Sequence, residues 1–76
     1  MEVAPMTIDE IIKSIRKELN ISQETLAREL NVSFATLNRW ENKKVKPSRL
    51  AMDKINDFCA SKESLAEIAM ALEHIK

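Results

Sequence analysis

Phe34, Ala35, Asn38 and Arg39 are side chains of the kinds that read nucleic-acid bases, and they recur within one short segment. At about 100° per residue they gather on one side of a helix, while Leu37 and Trp40 point to the other side and suit a core. The outward face is small at its N-terminal end and carries an amide and a guanidinium further along. A face like this can enter a DNA major groove, whose width admits one helix. There Arg39 could bond a guanine edge bidentately, Asn38 could bond adenine, and Phe34 and Ala35 could touch a thymine methyl. The same residues also suit an ordinary solvated helix surface, and Phe34 could pack inward. On these residues alone both readings stay open.

The elements that must hold this face are two short helices and a turn. Ser33 can cap the second helix, with Val32 and Leu37 in staple positions, so that helix is expected over about 34–42. Ser22 can cap the first, with Ile21 and Leu26 as its staple, and Leu26, Ala27 and Leu30 give it a buried side. The tight turn falls at Asn31-Val32-Ser33. Gln23, at a helix N-terminus, has a free amide beside its own side chain, and both can bond a phosphate oxygen. It could equally be a solvated first-turn residue.

Upstream, Thr7 and Glu10 have capping-box spacing, with Met6 and Ile11 as a staple. Ile8, Ile11, Ile12, Ile15 and Leu19 form one apolar stripe, which predicts a helix from Ile8 to Leu19 that stops at a left-handed Asn20. Downstream, Pro47 biases Lys46 away from helix, Ser48 caps a fourth helix, and Leu50, Ala51, Ile55, Phe58 and Cys59 are its expected buried side. Ser64-Leu65-Ala66-Glu67 is a second capping box, which predicts a fifth helix from Leu65 to Ile75. With no Gly or Pro between them, the fourth and fifth helices could instead merge. Leu65, Ile68, Leu72 and Ile75 form a stripe widened by Ala69 and Met70. Such a surface must cover something: the intramolecular core first, and a two-fold mate in a homodimer second.

Composition sets the outer bounds. At 76 residues one domain is expected, and glycine is absent. Helix formers dominate, so the fold class is all-α, a compact bundle of about five short helices. Residues 1–6 have no periodic pattern and read as a loose segment, 7–62 as the helix-turn-helix domain, and 63–76 as a C-terminal helix. Cys59, the one cysteine, cannot form an intramolecular disulfide, which suits a reducing cytosol, and it reads as a small core residue. Neither a signal-like start nor an apolar run of membrane length is present, so a cytoplasmic protein is expected. His74 and Cys59 fall short of the four ligands of a structural zinc site. There is no Gly-rich phosphate loop and no catalytic constellation. No metal, cofactor or enzymatic activity is therefore expected.

Formal net charge is zero, with 12 basic and 12 acidic residues, but they are unevenly placed. From Ser33 to Arg49 the positives are Arg39, Lys43, Lys44, Lys46 and Arg49, against Glu41 alone. From Leu50 onward five acids face three lysines. A neutral protein with a local basic stripe can still follow a phosphate backbone.

Ser22-Gln23-Glu24-Thr25-Leu26-Ala27, Val32-Ser33, Trp40-Glu41-Asn42 and Lys46-Pro47-Ser48 together resemble the Cro/lambda-repressor (Xre) family of helix-turn-helix proteins. The resemblance runs without gaps from about Thr7 to Ala60. It implies a five-helix domain whose third helix reads the major groove of double-stranded DNA, with Phe34, Ala35, Asn38 and Arg39 at base edges. It places Gln23, Asn42 and the following lysines on the phosphate backbone, to which Ser33, Thr36, Lys43, Lys44, Lys46 and Arg49 are assigned. It also implies an ion pair between Arg16 and Glu41. Two positions depart from the family pattern, Asn31 and Lys43, where the family often has Gly. Asn tolerates left-handed backbone, but a lysine there costs roughly 1 kcal/mol or more, which leaves the path from Lys43 to Lys46 open. The function implied is transcription regulation, most often repression, by a homodimer on an operator. The rival is a protein-interaction module, for example an antitoxin that holds its toxin through the apolar C-terminal helix.

Overall fold

Three of the five helices start at a serine. Ser22, Ser33 and Ser48 all have extended backbone, and their hydroxyls accept from the amides of Thr25, Thr36 and Ala51 at 3.1, 3.0 and 3.2 Å. Each hydroxyl satisfies one of the amides that a helix start leaves without a partner. Thr7 opens the remaining long N-terminal helix, where the Glu10 carboxylate accepts from the Thr7 amide at 3.0 Å and from its hydroxyl at 2.9 Å. The computed structural model describes residues 7–72. The expected loose segment 1–6, the staple at Met6, and Ile75 lie outside the described residues. The helices are α1 (Ile8–Leu19), α2 (Gln23–Glu29), α3 (Phe34–Glu41), α4 (Arg49–Ala60) and α5 (Ala66–Leu72), and no strand occurs among the described residues.

The helix ends solve a problem that the absence of glycine creates. The first three helices each stop at a left-handed residue: Asn20 (φ 55°), Asn31 (φ 57°) and Lys43 (φ 61°). In each case the next amide reaches back over the last turn. Ile21 donates to the Arg16 carbonyl at 3.0 Å, Val32 to Ala27 at 2.9 Å, and Lys44 to Arg39 at 2.9 Å. These are the long-range bonds of a Schellman ending. At Lys43 this settles the open path: the chain keeps the left-handed turn in spite of the β-carbon. The backbone bonds of Lys43 to Trp40 and of Lys44 to Arg39 hold a conformation that lysine alone disfavours.

The fourth and fifth helices do not merge. The Ser61 hydroxyl donates to the Phe58 carbonyl at 2.8 Å, and the Lys62 ammonium lies over the Phe58 ring, 5.1 Å from its centroid. Lys62 itself is extended (φ −124°, ψ 124°), which breaks the helix without Gly or Pro. A 3-10 turn over Glu63–Leu65 then leads into α5. Ser64 lies inside that turn, so it is not the cap that its box spacing predicted.

Ile11, Ile12 and Ile15 of α1 share the core with Leu26 and Ala27 of α2, Leu30 just past its end, Leu37 and Trp40 of α3, and Ile55 and Cys59 of α4. Leu65 and Leu72 close it from below and are buried. That burial puts both in the intramolecular core, the first of the two expectations for this stripe, so neither offers surface to a second copy. Among the described residues of the stripe, Ile68 is the one that is half-buried rather than buried. Leu50 is also corrected: it is 71% exposed. Five residues separate it from Ile55, which puts it roughly 140° off the buried line, and Met52 covers the core in its place.

Lys43→Gly should be about 1 kcal/mol more stable than Lys43→Ala, roughly 5 °C in Tm, because only the glycine relieves the left-handed strain. Thermal melts of the two variants check this. Burial pushes the Cys59 thiol from 9.0 up to about 11. As pH rises through that window the unfolded chain loses its thiol proton first, so stability should fall between about pH 9 and pH 11. At neutral pH a thiol reagent should label Cys59 only at the rate of unfolding.

Candidate nucleic-acid interface

The turn between α2 and α3 places the two helices against each other through Leu26, Ala27 and Leu30 on one side and Leu37 and Trp40 on the other. With Leu37 and Trp40 committed inward, the opposite face of α3 is left to solvent. Phe34 does not pack inward; it is 53% exposed. Ala35 and Arg39 are exposed beside it, and Asn38 is half-buried.

Asn38 is held by two neighbours. Its Nδ2 donates to Gln23 Oε1 at 3.1 Å, and its Oδ1 accepts from Asn42 Nδ2 at 3.0 Å. The i,i+4 spacing of Asn38 and Asn42 signals half of this arrangement in the sequence. The other half joins residues 15 apart and depends on how α2 meets α3. Ser33 is likewise committed. Its hydroxyl accepts from the Thr36 amide and donates to Thr36 Oγ1 at 2.8 Å. That spends the Ser33 hydrogen inside the cap and leaves the Thr36 hydroxyl as the group free to donate outward.

Asn42, Lys43, Lys44, Lys46 and Arg49 are all exposed along the end of α3 and the following loop. Lys43 Nζ approaches Asp9 Oδ2 at 3.9 Å, so this lysine also leans on the start of α1. Among the described residues no ion pair involves Arg39, Lys44, Lys46 or Arg49. The one acid of the segment, Glu41, is 3% exposed, and its Oε1 lies 2.8 Å from Arg16 Nη1. The pair is end-on: Arg16 Nε and Glu41 Oε2 are buried without hydrogen-bond partners. It ties α1 to the last turn of α3 and takes the only negative charge out of the basic stripe.

Among the described residues no group of His, Cys, Asp and Glu is arranged to hold a metal ion, and no helix is long and apolar enough to cross a membrane. Residues 12–64, more than half of the chain, match the family model described as helix-turn-helix. The chain belongs to the Cro/lambda-repressor (Xre) family of helix-turn-helix proteins. Xre-type membership supports a DNA-binding regulator, in a family that is generally not enzymatic. No curated protein and no solved structure matches the chain significantly.

Arg16→Met should cost about 2–3 kcal/mol by urea unfolding, because it strands a buried carboxylate, discounted for the partial exposure of the arginine. The double variant Arg16→Met/Glu41→Leu should recover most of that loss. A double variant as unstable as the single would mean that the pair contributes more than neutralisation.

Proposed function

We propose that this protein binds double-stranded DNA sequence-specifically as a transcriptional regulator, with α3 in the major groove. The observation that carries the reading is the pairing of an exposed α3 face with a basic stripe whose only acid is buried. Phe34, Ala35 and Arg39 meet base edges. Gln23, Thr36, Asn42, Lys43, Lys44, Lys46 and Arg49 follow the phosphates on either side, which fixes register before any base is read. Ser33 serves as the cap that starts the helix.

The protein acts in the cytoplasm as a homodimer on a two-fold operator, with half-sites about one helical turn apart, and represses by occupying the site. With Leu65 and Leu72 buried, the large apolar side chains of α5 left among the described residues for a second copy, or for a protein partner such as a toxin, are the half-buried Ile68 and the exposed Met70.

Fluorescence anisotropy of a labelled random-sequence duplex tests the reading. Four cationic phosphate contacts per protomer predict a loss of affinity between about 50 and 200 mM salt of about a hundredfold for a single bound protomer and about ten-thousandfold for a dimer that binds as a unit. Lys44→Ala should weaken every sequence alike and flatten the salt slope by about one contact. Arg39→Ala should relax preference at one base pair at a cost of roughly 1–3 kcal/mol. No binding at low salt would overturn the DNA reading in favour of the protein-interaction module. Sedimentation of the free protein and of its complex with the selected duplex reports the dimer, and one protomer per duplex would exclude it.

A further inference from the structure

Gln23, Asn38 and Asn42 form a chain of three amides that runs in one direction. Asn42 Nδ2 donates to Asn38 Oδ1, and Asn38 Nδ2 donates to Gln23 Oε1. A side-chain amide has an oxygen that accepts and an NH2 that donates, each with two hydrogen-bonding positions. With the Gln23 oxygen turned to Asn38, the end of the chain that Gln23 presents is its Nε2 donor. A phosphate only accepts, so a donor is the end that a DNA backbone needs. Asn38 could read adenine bidentately only by turning both its oxygen and its NH2 to the base. In this structure the NH2 is turned to Gln23 and the oxygen to Asn42, and Asn38 is half-buried. The protein and not a base therefore sets the orientation of the amide, although one N–H and one lone pair of Asn38 stay unused.

We propose that Asn38 is a positioning residue: it holds the Gln23 amide with its NH2 turned to a DNA phosphate, and it does not itself read a base. The inference rests on the DNA-binding reading above and deepens it. Asn42 sets Asn38 from the end of α3, Asn38 sets Gln23 across the turn, and the phosphate contact on α2 is thereby coupled to the placement of α3. Sequence preference then rests on Phe34, Ala35 and Arg39, the three exposed residues of the same face.

A double-mutant cycle on DNA affinity tests this. Dissociation constants are measured for the wild type, Gln23→Ala, Asn38→Ala and the double variant, on a random duplex and on a duplex selected by the wild type, at one salt concentration. Loss of a hydrogen bond to a charged phosphate predicts about a tenfold loss for Gln23→Ala, and release of its neighbour about fivefold for Asn38→Ala. Both losses should be the same on the two duplexes, and the double variant should bind no worse than Gln23→Ala. Asn38→Asp adds a test of direction, since a carboxylate cannot donate to Gln23 Oε1 and must take its NH2 instead. It should therefore cost more when Gln23 is present than in the Gln23→Ala background, where only its charge acts. Additive losses, an equal cost of Asn38→Asp in both backgrounds, or a changed preference at one base pair in Asn38→Ala would overturn the proposal while leaving DNA binding intact. A wild type that binds neither duplex at low salt would remove the DNA reading and this inference together.

Discussion

A carboxylate with almost no contact with water must be neutralised, and Arg16 is what neutralises Glu41. That requirement joins the first helix to the last turn of the third. It fixes the angle at which α3 leaves the core and with it the direction in which Phe34, Ala35 and Arg39 face. The pair is better understood as an orienting device than as a source of net stability, because buried ion pairs roughly break even against apolar replacements. Its single hydrogen bond, with one atom unpartnered on each side, fits that view.

The same pairing helps explain how a chain with no net charge can carry a local basic stripe. Twelve acids balance twelve bases over the whole sequence. From Ser33 to Arg49 the balance is broken: five basic residues stand against one acid, Glu41 at the end of α3, and that acid is buried. Non-specific attraction to a polyanion depends on the local charge that water can see, and net charge does not measure it.

Much of the scaffold is legible in the sequence because its signals are local. Serines with a helix behind them mark α2, α3 and α4, and isoleucines at helical spacing mark α1 and its buried face. Asn20 and Asn31 announce their turns because asparagine tolerates left-handed backbone. Lys43 does not announce its turn, since nothing local favours that geometry for lysine; the turn is set by the chain on both sides. Leu50 misleads for the opposite reason: an apolar residue near a helix start suggests core, although its angular position faces water. The break at Lys62 depends on Ser61 and on an ammonium over Phe58, contacts that spacing alone does not show. At the interface, residue types identify the outward face of α3, but the bond between Gln23 and Asn38 crosses two helices and becomes visible only once they are packed.

The helices that carry this surface are short. α2 has seven residues and α3 has eight, fewer than the dozen or so at which an isolated helix begins to hold together in water. Each exists because α1 and the core keep it in place. The surface therefore has no independent life: it forms and dissolves with the hydrophobic interior as one cooperative event. A ligand that recognises it selects the folded chain over every unfolded one and so stabilises residues far from the contact by mass action.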